Sequence, residues 1–392
     1  MDNPAPPPPP PPPPAARALV LAGGGARAAY EVGVLAAIAD RLPTLEFPIL
    51  TGVSAGAINA SYLAAYPGTF AAAVGALRAQ WAQLTADRVY RLRPFRVGPA
   101  LLRALLETML GHRTDPATVR GLVDMQPLRE FLASAIDFAG IDAKIDAGRL
   151  QAVALSTTSY ATGETVTFVQ GPPTVPTWRR ALRQGVRASL TLDHVMASAA
   201  LPVLFPAVRL DGVFYGDGSV RQTAPLSPAI HLGARGLLVI TQQRSPAPSA
   251  AATPPQASAP RDYPTLAEVV GLLLHAIFLD AIEADVERLE RVNRMLARLP
   301  ATPPPEGMRP VELLLMRPSR NLGAMAQGSG AKLPFLIRWA VRMMGGERVA
   351  SADFLSYLLF DPGYTSALIE LGYGDTQNDW GRIERFLEVT AT

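Results

Sequence analysis

Short apolar segments alternate with amphipathic segments in the first part of the chain. Ala18–Leu21 and Phe47–Leu50 are apolar runs of strand length, and each is followed by a glycine-containing turn. Tyr30–Asp40 has apolar positions at helical spacing, and a small-residue helix is predicted over residues 55–65. Apolar strands separated by helices are typical of a parallel sheet that is covered on both faces. The pattern therefore predicts an α/β fold.

The next part of the chain has a different pattern. Apolar stripes at helical spacing predict three helices, over Phe70–Leu84, Pro99–Leu110 and Pro127–Phe138. We interpret residues 68–140 as a helical insertion. Leu150–Ser156 and Thr165–Val169 are rich in strand-forming residues and are joined by a turn sequence, which predicts a hairpin.

Alternating elements continue toward the C-terminus. The pattern predicts a short helix at Leu192–Ala199, a hairpin around Asp211-Gly212 and a buried strand at Gly236–Thr241. A long amphipathic helix is predicted over 266–299. A strand at Val311–Met316 and several helices complete the prediction.

Proline-rich segments predict the boundaries between units. Residues 1–16 contain an unbroken proline tract, which predicts a disordered, extended tail. We predict a catalytic domain over 17–242, a linker over 243–262 that is rich in Pro, Ala and Ser, and a mostly helical extension over 263–392 that packs on the domain.

Charge and composition narrow the possible functions. The net charge of +3 is small and no run of basic residues stands out, so nucleic acid is not an expected partner. The chain has no cysteine, which excludes disulfides and thiolate chemistry and is consistent with a reducing compartment. The longest apolar run, 266–282, contains Glu268, His275 and Asp280 and is a poor membrane span. We therefore predict a cytoplasmic protein, with peripheral membrane association as an open alternative.

A candidate nucleophile follows the second predicted strand. Gly52-Val53-Ser54-Ala55-Gly56 has the G-x-S-x-G pattern between a strand and a helix. In such an elbow the turn is so tight that the flanking positions must be glycine, and the serine is exposed at its tip near a helix N-terminus. Ser54 is therefore a candidate nucleophile for acyl transfer, against the alternative of a surface serine in a glycine-rich turn.

A glycine-rich loop follows the first predicted strand. Consecutive glycines at 23–25 can direct backbone amides into one concavity and stabilise an oxyanion. Gly23-x-Gly25-x-x-Ala28 also matches a dinucleotide fingerprint, but the acidic residue that this fingerprint needs is absent from the end of the next strand, since Glu46 precedes that strand. Arg27 can orient the loop, contact an anionic head group or form a surface ion pair.

A candidate general base lies between two glycines in Tyr215-Gly216-Asp217-Gly218. An ordinary aspartate is a weak base with a pKa of about 3.9, but partial burial would raise that pKa toward neutrality. The alternative is a common turn aspartate. Of the histidines, His194 is the best candidate for a triad, but it lies early in a short helix where a packing role is equally plausible; His112 falls on a predicted loop, and His231 and His275 fall in helical patterns.

Together these motifs resemble the patatin-like phospholipase family, over about residues 17–242. The family combines a glycine-rich oxyanion loop, a G-x-S-x-G elbow and a D-G-A/G motif, and a small-residue segment like Ser198–Pro202 precedes the aspartate. The resemblance implies a three-layer α/β/α fold with a central, mostly parallel sheet. It also implies a lipid acyl hydrolase with a Ser54–Asp217 dyad that needs neither metal nor cofactor. The implied site residues are Gly23, Gly24, Gly25, Ala26 and Arg27 in the oxyanion loop, with the amides around Gly24, Gly25 and Ala26 at the oxyanion, Gly52 and Gly56 in the elbow, and Gly218 in the third motif.

The chain departs from the family pattern at two positions. Ala28 stands where the loop usually has its last glycine, and Ser219 stands after the catalytic position where Gly or Ala is usual. The implied substrate is a phospholipid or another acyl ester. Two alternatives stay open at this point: an acyltransferase with the same elbow and a histidine base, and a lipid-binding scaffold without activity. Oligomeric state is not determined by the sequence.

Overall fold

The protein is described here from a computed structural model that covers residues 16–92, 121, 123–244, 269, 281–298, 308–328 and 356–389. Several predictions lie outside the described residues: the tail over 1–15, the helix at Pro99–Leu110, the linker beyond residue 244 and most of the long helix before residue 281. Within the described part of the chain, no helix has both the length and the apolar composition needed to cross a bilayer.

Within the described ranges, a central sheet of ten strands organises the fold. Its order is β12-β11-β1-β2-β5-β6-β8-β7, and β10 pairs with β5 and β9. The strands in chain order are β1 (Arg17–Leu21), β2 (Ile49–Val53), β3 (Arg91–Leu92), β4 (Val123–Asp124), β5 (Ala152–Ser159), β6 (Thr165–Gln170), β7 (Trp178–Arg180), β8 (Arg183–Arg187), β9 (Val208–Leu210), β10 (Val213–Asp217), β11 (Gly236–Ile240) and β12 (Glu312–Met316); β3 and β4 form a separate pair.

The sheet has a parallel half and a mixed half. The strands from β12 to β5 run parallel to one another, as the sequence predicts. Beyond β5 the sheet is mixed, because β5 pairs antiparallel with β6 and with β10, while β6 and β8 are parallel. The predicted hairpins are confirmed, whereas β7 and β8 are strands that the sequence did not predict.

Helices cover both faces of the sheet. On β1, Leu19 and Leu21 face one apolar core, and Ala18 and Val20 face the other, so both faces of the strand are buried. The helices in chain order are α1 (Ala29–Arg41), α2 (Ala55–Ala65), α3 (Phe70–Ala82), α4 (Ala86–Val89), α5 (Gln126–Ala135), α6 (Ala139–Asp146), α7 (Leu192–Ser198), α8 (Ser227–His231), α9 (Ala281–Leu296), α10 (Leu322–Gly328), α11 (Pro362–Asn378) and α12 (Trp380–Val389). The three-layer α/β/α architecture that the resemblance implies is present.

The C-terminal part of the chain shares the sheet and the core. β12 extends the parallel half beside β11, and α11 packs along α1 at backbone distance. A β-carbon added at Gly33 of α1 would lie 2.0 Å from the Ile369 carbonyl oxygen of α11, so only glycine permits this approach. The predicted strand at 311–316 is confirmed as β12.

Candidate active site

Ser54 lies at the sharp turn between β2 and α2, as predicted. Its backbone has φ 57° and ψ −131°, a strained conformation for a residue with a side chain. Close contacts with the neighbouring backbone require glycine at positions 52 and 56. A β-carbon at Gly52 would lie 2.4 Å from the Gly56 carbonyl oxygen, and one at Gly56 would lie 2.3 Å from the Leu21 carbonyl oxygen. The elbow motif is therefore explained by the close approach of β1, β2 and α2.

Ser198, at the end of α7, supports the strained elbow. The Ser54 amide donates to Ser198 Oγ at 3.1 Å, and Ser198 Oγ donates to the Ser156 carbonyl oxygen at 2.7 Å. All three residues are buried. The serine hydroxyl thus links the elbow to β5.

The end of β10 meets the end of β2 along one edge of β5. Val53 lies opposite Ser156, and Asp217 lies opposite Thr157, the next residue of β5. The other edge of β5 is occupied by β6, so β2 and β10 abut with their carboxyl ends facing each other. A β-carbon at Gly218 would lie 2.3 Å from the Ser156 carbonyl oxygen, which explains the glycine after the aspartate.

The environment of the Asp217 carboxyl group favours a base that titrates near neutrality. The side chain is fully buried, and burial raises its pKa to about 6, partly offset by the Ser219 amide and the Ser54 hydroxyl. Oδ1 accepts the Ser219 amide at 2.9 Å. Oδ2 has no hydrogen-bond partner of regular geometry among the described residues. This oxygen is therefore available to accept a proton from the neighbouring Ser54.

The glycine loop takes a left-handed backbone conformation. Gly23, Gly24 and Gly25 have φ of 74°, 116° and 59°, which side-chain-bearing residues rarely adopt. A β-carbon at Gly23 would lie 2.2 Å from the Val53 carbonyl oxygen and 3.0 Å from Ser54 Cβ, so the loop lies directly against the elbow. Ala28, where the family has glycine, has an ordinary φ of −65°, so the substitution causes no backbone strain.

Three of the five loop amides are free to bind an oxyanion. The amides of Gly24, Gly25 and Ala26 donate to no group among the described residues. The amides of Gly23 and Arg27, the other two residues of the predicted oxyanion loop, donate elsewhere in this conformation. The Gly23 amide donates to Glu31 Oε1 at 2.9 Å, and the Arg27 amide donates to the Gly24 carbonyl oxygen at 3.2 Å.

The Arg27 side chain is buried rather than placed in a surface ion pair. Its Nε donates to Ser356 Oγ at 2.7 Å, and its Nη1 donates to the Tyr357 hydroxyl at 3.1 Å. The guanidinium carbon lies 4.0 Å from the centre of the Tyr357 ring. Of the three roles considered from the sequence, orienting the loop agrees with these contacts, which join it to a C-terminal segment.

An apolar pocket opens at Ser54 and Asp217. The space is about 870 Å³ including its opening, and α3, α5 and the C-terminal segment supply much of its wall. Representative lining residues are Leu77, Trp81, Leu128, Leu132, Leu358 and Phe360. The described part of the long helix, α9, packs instead on the opposite face of the sheet, so it does not line this pocket. A narrow apolar space beside the candidate nucleophile Ser54 suits an acyl chain.

The described histidines do not approach the nucleophile. His194 Nδ1 accepts the Thr191 amide at 3.1 Å at the start of α7, and its ring packs edge-on against Phe168. His231 stacks on Trp178. His112 and His275 lie outside the described residues. Neither described ring lines the pocket that contains Ser54.

The geometry of the described residues does not support a dinucleotide or a metal ion as a ligand. Glu46, the acid considered for a dinucleotide, bonds to Arg149 rather than facing the glycine loop. In the described ranges, no three His, Asp or Glu side chains converge as metal ligands would.

Sequence reasoning missed a buried polar group beneath the loop. Glu31, Asn59 and Gln242 are buried, and the amides of Asn59 and Gln242 each donate a hydrogen bond to the Glu31 carboxylate. The helical pattern over Tyr30–Asp40 gave no signal for them, because Glu31 stands at the start of the helix, where a solvated acid is ordinary.

Comparison with known proteins supports one family. The family model described as patatin-like phospholipase matches residues 19–230, more than half of the chain. A search of curated proteins gives no match.

Two solved structures match the chain at low sequence identity. Human GIVD cytosolic phospholipase A2 in complex with methyl gamma-linolenyl fluorophosphonate is 14% identical, with a TM-score of 0.45, and the match covers 96% of this chain and 59% of that one. VipD from Legionella pneumophila is 12% identical, with a TM-score of 0.35, covering 93% of this chain and 66% of that one. The chain thus spans about three fifths of the length of the human protein.

Proposed function

The chain belongs to the patatin-like phospholipase family, and from this premise we propose that it is a serine lipid acyl hydrolase with Ser54 as nucleophile and Asp217 as general base. The observation that carries the proposal is the meeting of β2 and β10 end to end on β5. This arrangement brings the two side chains into one pocket although they are far apart in the chain.

The geometry supports a two-step reaction. Ser54 Oγ attacks the ester carbonyl carbon while its proton passes to Asp217 Oδ2. The oxyanion accepts hydrogen bonds from the amides of Gly24, Gly25 and Ala26, each worth about 2.7–4 kcal/mol of transition-state stabilisation by analogy with other oxyanion holes. The alcohol leaves with the proton that Asp217 returns, and an acyl-enzyme remains.

Water completes the cycle. Asp217 accepts a proton from a water molecule that attacks the acyl carbonyl, and the fatty acid departs as the proton returns to Ser54. A raised pKa suits this role, because the base is ionised at neutral pH and still binds a proton well. The apolar pocket accommodates the acyl chain of a phospholipid or related ester. Cytoplasmic location and peripheral contact with a membrane surface stay predictions.

Active-site labelling tests the proposal. We expect a fluorophosphonate to modify the wild type at Ser54. Ser54→Ala and Asp217→Asn should each lower hydrolysis of a nitrophenyl ester and of phospholipid vesicles by about 10³-fold or more. His194→Ala should retain activity, because the His194 ring accepts the Thr191 amide at the start of α7 and does not line the pocket that contains Ser54.

Other outcomes would overturn the assignment. If the label maps to another residue, or both dyad variants keep their activity, the proposed mechanism is wrong. If His194→Ala abolishes turnover while Asp217→Asn does not, a histidine-based acyltransferase replaces it. A wild type that binds lipid but is never labelled would indicate a scaffold.

A further inference from the structure

Glu31 is a fully buried carboxylate surrounded by hydrogen-bond donors. Oε1 accepts the Gly23 amide at 2.9 Å and Gln242 Nε2 at 2.9 Å, and Oε2 accepts Asn59 Nδ2 at 2.8 Å. These donors come from the glycine loop, the segment that follows β11, and α2, whereas Glu31 lies in the first turn of α1. One carboxylate therefore joins four parts of the fold beneath the loop.

The partners of Glu31 are held in their orientation. Asn59 Oδ1 accepts Trp81 Nε1 at 2.8 Å, so the Asn59 amide nitrogen must face the carboxylate. Gln242 packs under Gly24, where an added β-carbon would lie 3.2 Å from Gln242 Oε1. Rotation of the Asn59 amide would break its contact with Trp81, so this side of the site is built for an acceptor at Glu31.

Protonation of this carboxyl group would create a conflict. The groups facing it are the Gly23 and Ala22 amides and the side-chain amides of Asn59 and Gln242, and no charged group contributes to its pKa. Burial raises the pKa to about 7, while these hydrogen bonds lower it. A proton on Oε2 would meet the fixed Asn59 amide instead of an acceptor, and a proton on Oε1 would compete with the Gly23 amide, so one of these hydrogen bonds would be lost.

Loss of the Gly23 contact would move the oxyanion loop. Gly23 lies against the Val53 carbonyl and Ser54 Cβ, and the three free amides follow it directly in the chain. A shift at Gly23 changes the distance from those amides to the carbonyl that Ser54 attacks. Oxyanion stabilisation depends on distances held within a few tenths of an ångström.

We propose that Glu31 is a positioning residue of the reaction, whose ionised carboxylate holds Gly23 so that the following amides face the oxyanion, and whose protonation releases the loop. This inference rests on the proposed hydrolase function. Glu31 does not touch substrate. It acts through the backbone of Gly23.

Exchange of the acid and amide side chains between Glu31 and Asn59 tests the proposal. Glu31→Gln places an amide nitrogen against Asn59 Nδ2 and breaks the network. In Glu31→Gln with Asn59→Asp, the aspartate accepts both the new amide and Trp81 Nε1, so the Gly23 amide keeps an acceptor. We expect the single variant to lower kcat at least tenfold with a smaller change in KM, and the double variant to recover most of the loss.

The pH profile separates positioning from a merely structural role. With Asp217 and Glu31 both required in ionised form, log kcat/KM of the wild type should fall on the acid side with a slope that exceeds one and approaches two. In Glu31→Gln the slope should be about one, set by Asp217 alone, because this variant has no carboxyl group in the network. A slope near two in Glu31→Gln, or wild-type kcat in that variant, would overturn the proposal.

Thermal unfolding gives a readout that needs no activity. A raised pKa in the folded state means that the wild type loses stability as pH rises from about 4.5 to about 7, because the folded state holds the proton longer. Glu31→Gln should lack this part of the pH dependence of Tm. If the Tm difference is present but the wild type does not hydrolyse lipid, the proposed function fails. If Ser54→Ala and Asp217→Asn lose activity as expected but the Tm difference is absent, the Glu31 inference fails.

Discussion

Replacing Ser198 with alanine should damage the elbow without touching the dyad. The Ser198 hydroxyl accepts the Ser54 amide at 3.1 Å and donates to the Ser156 carbonyl at 2.7 Å. Alanine fits the same space and leaves both backbone groups buried without this partner. The Ser54 backbone, which is strained at φ 57°, loses the contact that holds it in place.

The magnitude follows from the two orphaned groups. Each buried donor or acceptor without a partner costs about 1–3 kcal/mol, so we expect Ser198→Ala to lower the free energy of unfolding by about 2–6 kcal/mol. Backbone strain at the elbow, of order 1–3 kcal/mol, would relax by moving Ser54 from the loop amides. The rate of fluorophosphonate labelling should therefore fall by about tenfold or more, even at temperatures where the variant is folded.

Ser61 provides a matched control for this experiment. It is a fully buried serine on α2, and its hydroxyl has no hydrogen-bond partner among the described residues. Ser61→Ala should leave both urea unfolding and labelling close to the wild type or slightly increase stability. If Ser198→Ala is no less stable than Ser61→Ala and is labelled at the same rate, the supporting role of Ser198 is refuted.

Two other changes have outcomes set by the geometry. Asp217→Asn should be more stable than the wild type by about 3 kcal/mol at pH 8. Because the pKa of the buried Asp217 carboxyl group is raised, the wild-type protein loses stability as pH rises from 3.8 to about 6. Urea midpoints of both proteins at pH 4 and pH 8 check this, and an equal difference at both pH values would contradict it. Gly218→Ala should destabilise the protein by about 1–3 kcal/mol and slow labelling strongly, since its β-carbon would lie 2.3 Å from the Ser156 carbonyl oxygen. Gly75→Ala, in α3 where nothing lies within 4 Å, should instead stabilise by about 0.5–1 kcal/mol, and a loss at Gly75 as large as at Gly218 would remove the steric argument.

The elbow was predictable because its constraints are local. Gly52, Ser54 and Gly56 are fixed by the approach of two strands and the helix that follows, and a glycine pattern records such contacts directly. The parallel half of the sheet was predictable for a related reason. Its strands are buried on both faces and consist of short apolar runs.

The edge of the sheet beyond β6 was not predictable in this way. β7 and β8 include Arg179, Arg180 and Arg183, and several of their side chains are exposed. Charged residues are common on edge strands, where they hinder pairing with other chains. An apolar run is therefore absent, and the pattern gives no strand signal.

The burial of Glu31 and Asp217 depends on contacts between residues that are distant in the chain. Glu31 is buried only because Asn59 and Gln242, far away in the chain, supply donors beneath the loop. Asp217 is buried only because β10 ends against β2 on β5. Both carboxyl groups have a raised pKa, so each costs the folded state stability at neutral pH. An apolar residue at either position would avoid that cost. A chain that keeps both acids beside one strained serine gives up stability for a fixed arrangement of the proposed base, nucleophile and amides, and that arrangement is what the proposed acyl transfer needs.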